Sequence, residues 1–80
     1  MADEFAPAKQ RFLDLVHAID PDVTVVIPER STQDAFRISL TRGTNRRFLT
    51  LSEDDMLDLV EDEHAAAKMH ATLRGEVAVL

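Results

Sequence analysis

FRISLTRGTNRRFLTLSEDDMLDLVEDE, residues 36–63, decides the fold, because it reads as strand, turn, strand and helix without a spare residue. Phe36, Ile38 and Leu40 recur at every second position, and so do Leu49 and Leu51; this is the period of a strand with one buried face. Between them Gly43-Thr44 suits a two-residue turn of type II′, which needs glycine at its first central position; a four-residue loop, Arg42 to Asn45, gives the same pairing. Thr41 then faces Arg46, Ile38 faces Leu49 and Phe36 faces Leu51. A one-residue slip would mix apolar and polar sets on each face, so the pattern pins this register. One face carries Phe36, Ile38, Leu40, Leu49 and Leu51, with Arg47 at its turn end. The other carries Arg37, Ser39, Thr41, Arg46, Phe48 and Thr50.

Ser52 follows at once as an N-cap, with Asp55 at the capping-box position. Glu53, Asp54 and Asp55 fall in the first helical turn, where the helix dipole favours negative charge. One continuous helix is expected from there to Arg74, burying a stripe of Met56, Leu57, Val60, Ala67 and Ala71, widened by Leu59, Ala66 and Leu73. Glu63 falls near that stripe and would need a partner if covered. Gly75 is the expected stop just past the helix. That divides the chain into a domain over residues 1–75 and an apolar tail over residues 76–80. Val77, Val79 and Leu80 of the tail suit an edge strand, a core plug or a segment exchanged with a neighbour, and are candidate dimer contacts.

Upstream, Val23-Thr24-Val25-Val26-Ile27 is β-branched throughout and favours a strand, closed by Pro28. Val23, Val25 and Ile27 point inward on the alternation, while Thr24 and Val26 point out. Glu29 to Asp34 is a polar loop. Before it, Phe5, Ala8, Phe12, Leu15, Val16 and Ile19 recur at spacings of three and four, with Lys9, Arg11 and Asp14 on the solvated side. Pro7 is tolerated only in a first turn, so this helix begins just before it, with Asp3 or Ala6 near the cap, and Asp20-Pro21 ends it. The expected architecture is α+β, in the order α-β-β-β-α. A three-stranded antiparallel sheet (Val23–Ile27, Ala35–Thr41, Arg46–Leu51) carries two helices on one face.

Composition bounds the function. Eighty residues form one small domain, 45% apolar and 30% charged, an ordinary globular mixture. The chain has no cysteine, hence no disulfide framework, no thiolate zinc site and no cysteine nucleophile. An acidic start, Met1-Ala2-Asp3-Glu4, with no apolar run after it, is unlike a secretory signal, and no stretch has the roughly 20 apolar residues of a membrane span. A soluble, cytoplasmic protein is expected. No serine sits in a glycine-flanked elbow and no phosphate-cradling or dinucleotide motif occurs, so no enzyme activity, cofactor or small-molecule substrate is expected. His17, His64 and His70 do not combine into a ligand set. Glu61 and His64 have the spacing of a di-iron pair, but the expected helices cannot supply its second half, so no metal is expected.

Charge is divided within residues 36–63: Arg37, Arg42, Arg46 and Arg47 stand in the first half with no acid, and Glu53 to Glu63 holds seven acids and no base. The acids, including Asp54, Asp58, Glu61 and Asp62, form a solvated helical face or a dock for a basic partner. Arg37, Arg46 and Phe48, with Val26 beside them, lie on a sheet face that neither helix covers. Arginine and aromatic side chains are enriched at protein interfaces, and the same ingredients bind single-stranded nucleic acid, where two or three stacking rings are usual. The element order resembles that of the double-stranded RNA-binding domain. That fold binds RNA partly through lysines at the start of its second helix, where this chain has Glu53, Asp54 and Asp55, so the resemblance covers topology and carries no motif. The net charge of −6 also disfavours nucleic acid. The sequence therefore points to a non-enzymatic protein–protein interaction domain that self-associates as a homodimer, with Arg37, Arg42, Arg46, Arg47, Phe48 and Val26 as partner-binding residues. In such a dimer Arg42, Arg46 and Arg47 of one chain would meet Asp58, Glu61 or Asp62 of the other.

Overall fold

A computed structural model describes residues 4–80. The elements run α1 (Ala6–Ile19), β1 (Thr24–Val26), β2 (Ala35–Arg42), β3 (Asn45–Ser52), α2 (Glu53–Glu61) and α3 (Glu63–Ala78). The fold is α+β, with the strands in the order β1-β2-β3 and both pairings antiparallel. The hairpin has the register that the alternation dictates: Thr41 opposes Arg46, Ile38 opposes Leu49 and Phe36 opposes Leu51. Gly43 lies at φ +62° and Thr44 is not in the left-handed region, the φ signs of a type II′ turn.

All three helices pack on the face formed by Phe36, Ile38, Leu40 and Leu51. They contribute Ala8, Phe12 and Val16 from α1, Met56 and Leu59 from α2, and Leu73 and Val77 from α3. Phe5 and Phe36 meet edge to face, their centroids 5.1 Å apart. Phe5 occupies the N-cap of α1, with Ala6 the first helical residue and Pro7 in the first turn; Asp3 lies outside the described residues. Lys9 is only partly solvated, since its Nζ donates to the Glu29 carbonyl at 3.0 Å and lies 5.4 Å from the Phe36 ring centre.

The second half corrects the single-helix expectation. Asp62 adopts extended backbone (φ −136°, ψ 114°) and divides the helix. Its backbone N–H donates to the Asp58 carbonyl, closing α2, while its carboxylate accepts the His64 N–H at 2.9 Å, opening α3. The break rephases the buried stripe to Met56 and Leu59, then Ala66, Leu73 and Val77. Val60, expected inside, is 51% exposed, and Ala67 and Ala71 are exposed too. Glu63 is exposed as the first residue of α3, where its charge complements the dipole and no partner is required.

Gly75 does not stop the helix. It lies inside α3 without a left-handed φ, and the helix continues through Ala78. Val77 is 3% and Leu80 7% exposed in this chain's own core, so of the three tail residues only Val79, at 61%, faces outward. Residues 76–80 thus finish a helix and plug the core. The edge-strand alternative fails because residues 76–78 are helical, and the core-plug alternative describes Val77 and Leu80.

The polar loop between β1 and β2 contains a tight turn. Thr32 and Ala35 exchange backbone hydrogen bonds of 2.8 and 3.1 Å around Gln33 and Asp34, both at positive φ (52° and 61°). Two adjacent left-handed residues are the requirement of a type I′ turn, usually met by Asn-Gly.

Candidate interaction surface

β2 places Arg37, Ser39 and Thr41 on the face away from the helices, β3 adds Arg46, Phe48 and Thr50, and β1 adds Thr24 and Val26. Register aligns them in rows across the strands. Val26, Ser39 and Phe48 form the middle row, with Thr24, Thr41 and Arg46 on one side and Arg37 with Thr50 on the other. Phe48 is 51% and Val26 58% exposed, on either side of the short Ser39 side chain. The Arg37 guanidinium lies 4.5 Å from the centre of the Phe48 ring, a cation–π contact on the diagonal between neighbouring strands. Beyond Arg37 the face runs into an open cleft of about 510 Å³, lined by Pro28, Thr32, Gln33, Ala35, Arg37 and Thr50. Among the described residues, neither Arg37 nor Arg46 has a carboxylate partner.

Arg42 and Arg47 do not belong to this surface. Arg42 donates to an Asp20 carboxylate oxygen at 2.8 Å and to the Leu80 carbonyl, tying the end of β2 to the end of α1 and to the C-terminal plug. Arg47 points to the helical side of the sheet, where its Nε donates to Glu76 of α3 at 2.6 Å. Both arginines, expected to meet the acids of a second chain, bond here to acids of their own chain. Asp20 and Glu76 escaped the sequence reading, for they lie 22 and 29 residues from their partners and nothing in local periodicity links them.

The Arg42 hydrogen bond, followed by the Asp22 backbone N–H at 2.9 Å, holds the Asp20 carboxyl below its ordinary pKa. Several other acids lie at the starts of α2 and α3. Ser52 Oγ accepts the Asp55 N–H at 3.1 Å, and Ser31 Oγ donates to Glu53 at 3.1 Å. Asp54, Glu61 and Asp62 are exposed and Asp58 half-buried, with Asp62 also spent as a shared cap. Among the described residues no three His, Cys, Asp or Glu side chains stand together as a metal-ligand set, and no helix is long and apolar enough to cross a membrane.

No protein-family model, no curated protein and no solved structure matches this chain.

Proposed function

We propose that this chain is a non-enzymatic protein–protein interaction domain whose contact surface is the helix-free sheet face centred on Phe48. One observation carries the reading. Phe48 and Val26 are half or more exposed in the same row of a rigid sheet, and Arg37 is stacked on the ring. A hairpin in a pinned register holds these groups with little freedom to lose on binding, which favours them as anchors. Arg46 supplies a second cation on the same face, without a carboxylate partner among the described residues. A cytoplasmic setting is part of the proposal, resting on the absence of cysteine.

Stacking by a nucleic acid base is the weaker reading, since Phe48 is the one ring on this face and Arg37 already covers one of its sides. Docking of the acidic α2 on a basic partner lacks any apolar anchor beyond Val60. The test is capture from native extract with the wild-type chain and with a Val26→Ser/Phe48→Ser chain of unchanged circular dichroism. A protein retained by the first and lost by the second is the expected result. Retention by both, or salt-sensitive binding of single-stranded oligonucleotides, overturns the proposal.

A further inference from the structure

We propose that two copies of this chain join edge to edge through β3, antiparallel about a two-fold axis at Phe48, into one six-stranded sheet. This rests on the reading of the Phe48 surface as a protein contact, and it names the partner as a second copy.

The hydrogen-bond parity of β3 carries the argument. The Glu53 N–H donates to the Asp34 carbonyl at 2.9 Å, extending the β2–β3 ladder by one bonded pair. In an antiparallel pair, bonded and non-bonded positions alternate. The bonded pairs are therefore Phe36–Leu51, Ile38–Leu49, Leu40–Arg47 and Arg42–Asn45. The backbone N–H and C=O groups of Arg46, Phe48 and Thr50 point away from β2, and among the described residues no other backbone or side chain engages them. β3 is an edge strand of eight residues, presenting a row of donors and acceptors to water. Side-chain exposure is high along the same edge: Arg46, Arg47, Phe48 and Thr50 are all exposed, and Leu49 is half-exposed on the helical side.

Charge selects a second copy as the occupant. Near its start β3 carries Arg46, which has no carboxylate partner among the described residues, and the strand is followed at once by Glu53, Asp54 and Asp55 of α2. Antiparallel self-pairing lays the basic end of each strand beside the acidic helix start of the other, twice over by symmetry. Parity permits an axis at residue 47, 48 or 49. An axis at Arg47 opposes it to the partner's Arg47, which is destabilising. An axis at Leu49 opposes Arg46 to the partner's Ser52, the last residue of β3 and the N-cap of α2, and sets Phe48 against the partner's Thr50, so the two rings do not pair. An axis at Phe48 places it opposite the partner's Phe48, Arg46 opposite the partner's Thr50, and Arg47 opposite the partner's Leu49. No like charges then face each other, and the two rings pair on one face.

Sedimentation velocity on the wild-type chain from micromolar to millimolar concentration, at low salt, reads the association. A dimer is expected, weakening by about tenfold or more between about 50 and about 500 mM salt because the end-to-end charges are screened. In Thr50→Pro the lost N–H is one that β2 does not use, so circular dichroism is retained and dimerisation weakens by at least about tenfold. Hydrogen exchange on the wild type makes the same point without substitution: the Arg46, Phe48 and Thr50 amides gain protection as concentration rises. Amides that stay unprotected in a dimer overturn edge pairing. A dimer that survives Thr50→Pro but not Phe48→Ala also overturns it, and leaves Phe48 as a contact. A wild-type monomer at millimolar concentration overturns self-pairing alone, because extract capture by the Val26–Phe48 face is scored separately.

Discussion

Val77 and Val79 are the same side chain two residues apart, one 3% and the other 61% exposed, and substituting each by alanine separates a core plug from a surface tail. Val77→Ala removes two buried methyl groups, worth about 1.6 kcal/mol at about 0.8 kcal/mol each. The space left behind raises the cost, and the better helix propensity of alanine returns up to ~0.6 kcal/mol. A net loss of about 1–2.5 kcal/mol follows. Val79→Ala removes groups already in water beyond the last helical residue, and should cost less than about 0.5 kcal/mol. With no tryptophan or tyrosine in the chain, the assay is urea unfolding followed by far-ultraviolet circular dichroism at micromolar concentration. With a slope near ~1 kcal/mol/M, as expected for a domain this small, the midpoint should fall by about 1–2.5 M for Val77→Ala and hardly move for Val79→Ala. Equal losses, or a larger one for Val79→Ala, would refute the placement of residues 76–80 in the core.

Glycine substitutions test the ends of two other elements. Gly75→Ala should raise stability by about 0.5–1 kcal/mol, since the position is helical and an added Cβ meets nothing within 4 Å. Gly43→Ala should lower it by about 1 kcal/mol, because φ there is +62°; a urea midpoint that rises for Gly43→Ala or falls for Gly75→Ala would contradict the respective reading. Asp62→Ala removes the cap that opens α3 and should cost about 0.5–2 kcal/mol, read as a lower midpoint with loss of amide protection at His64. Asp20 has a pKa depressed from 3.8 in the folded chain, so its contribution is complete above that value and is lost as pH falls through the folded pKa. The midpoint gap between wild type and Asp20→Asn should therefore be full at neutral pH and close in acid; a gap independent of pH would show that the Arg42 contact does not couple to protonation.

Strand alternation made the hairpin legible to the residue. Phe36, Ile38, Leu40, Leu49 and Leu51 tolerate a single register, and the exposed set containing Arg37, Arg46 and Phe48 follows from it. The helical half was less legible because Ala66, Ala67, Ala71 and the flanking acids fit several phases of a helix almost equally. The informative residue was Asp62. An aspartate between Glu61 and Glu63 reads as one more solvated acid, yet its short side chain can cap a new helix where glutamate cannot. Gly75 misled for a related reason: its usual place after a helix is a preference, which the burial of Val77 and Leu80 outweighs. Arg42 and Arg47 carry the same charge as Arg37 and Arg46, and their different fates were set by which chain ends the fold brings near. Arg42 sits beside the end of α1 and Arg47 faces α3, neither of which a local pattern can reveal.

The inequality of the sheet's two edges limits what association can build. β1 has three residues, of which only Val25 turns its backbone groups outward by the same alternation, and Pro28 follows closely. β3 has eight. A sheet with two long edges could add copies at both and grow without limit. Here one edge is too short to template another strand, so the pairing proposed through β3 would stop at two copies. The same asymmetry predicts which change would be hazardous. Extending β1 by even two or three residues of β-forming sequence in place of Pro28 would restore a second edge and let the proposed pairing propagate.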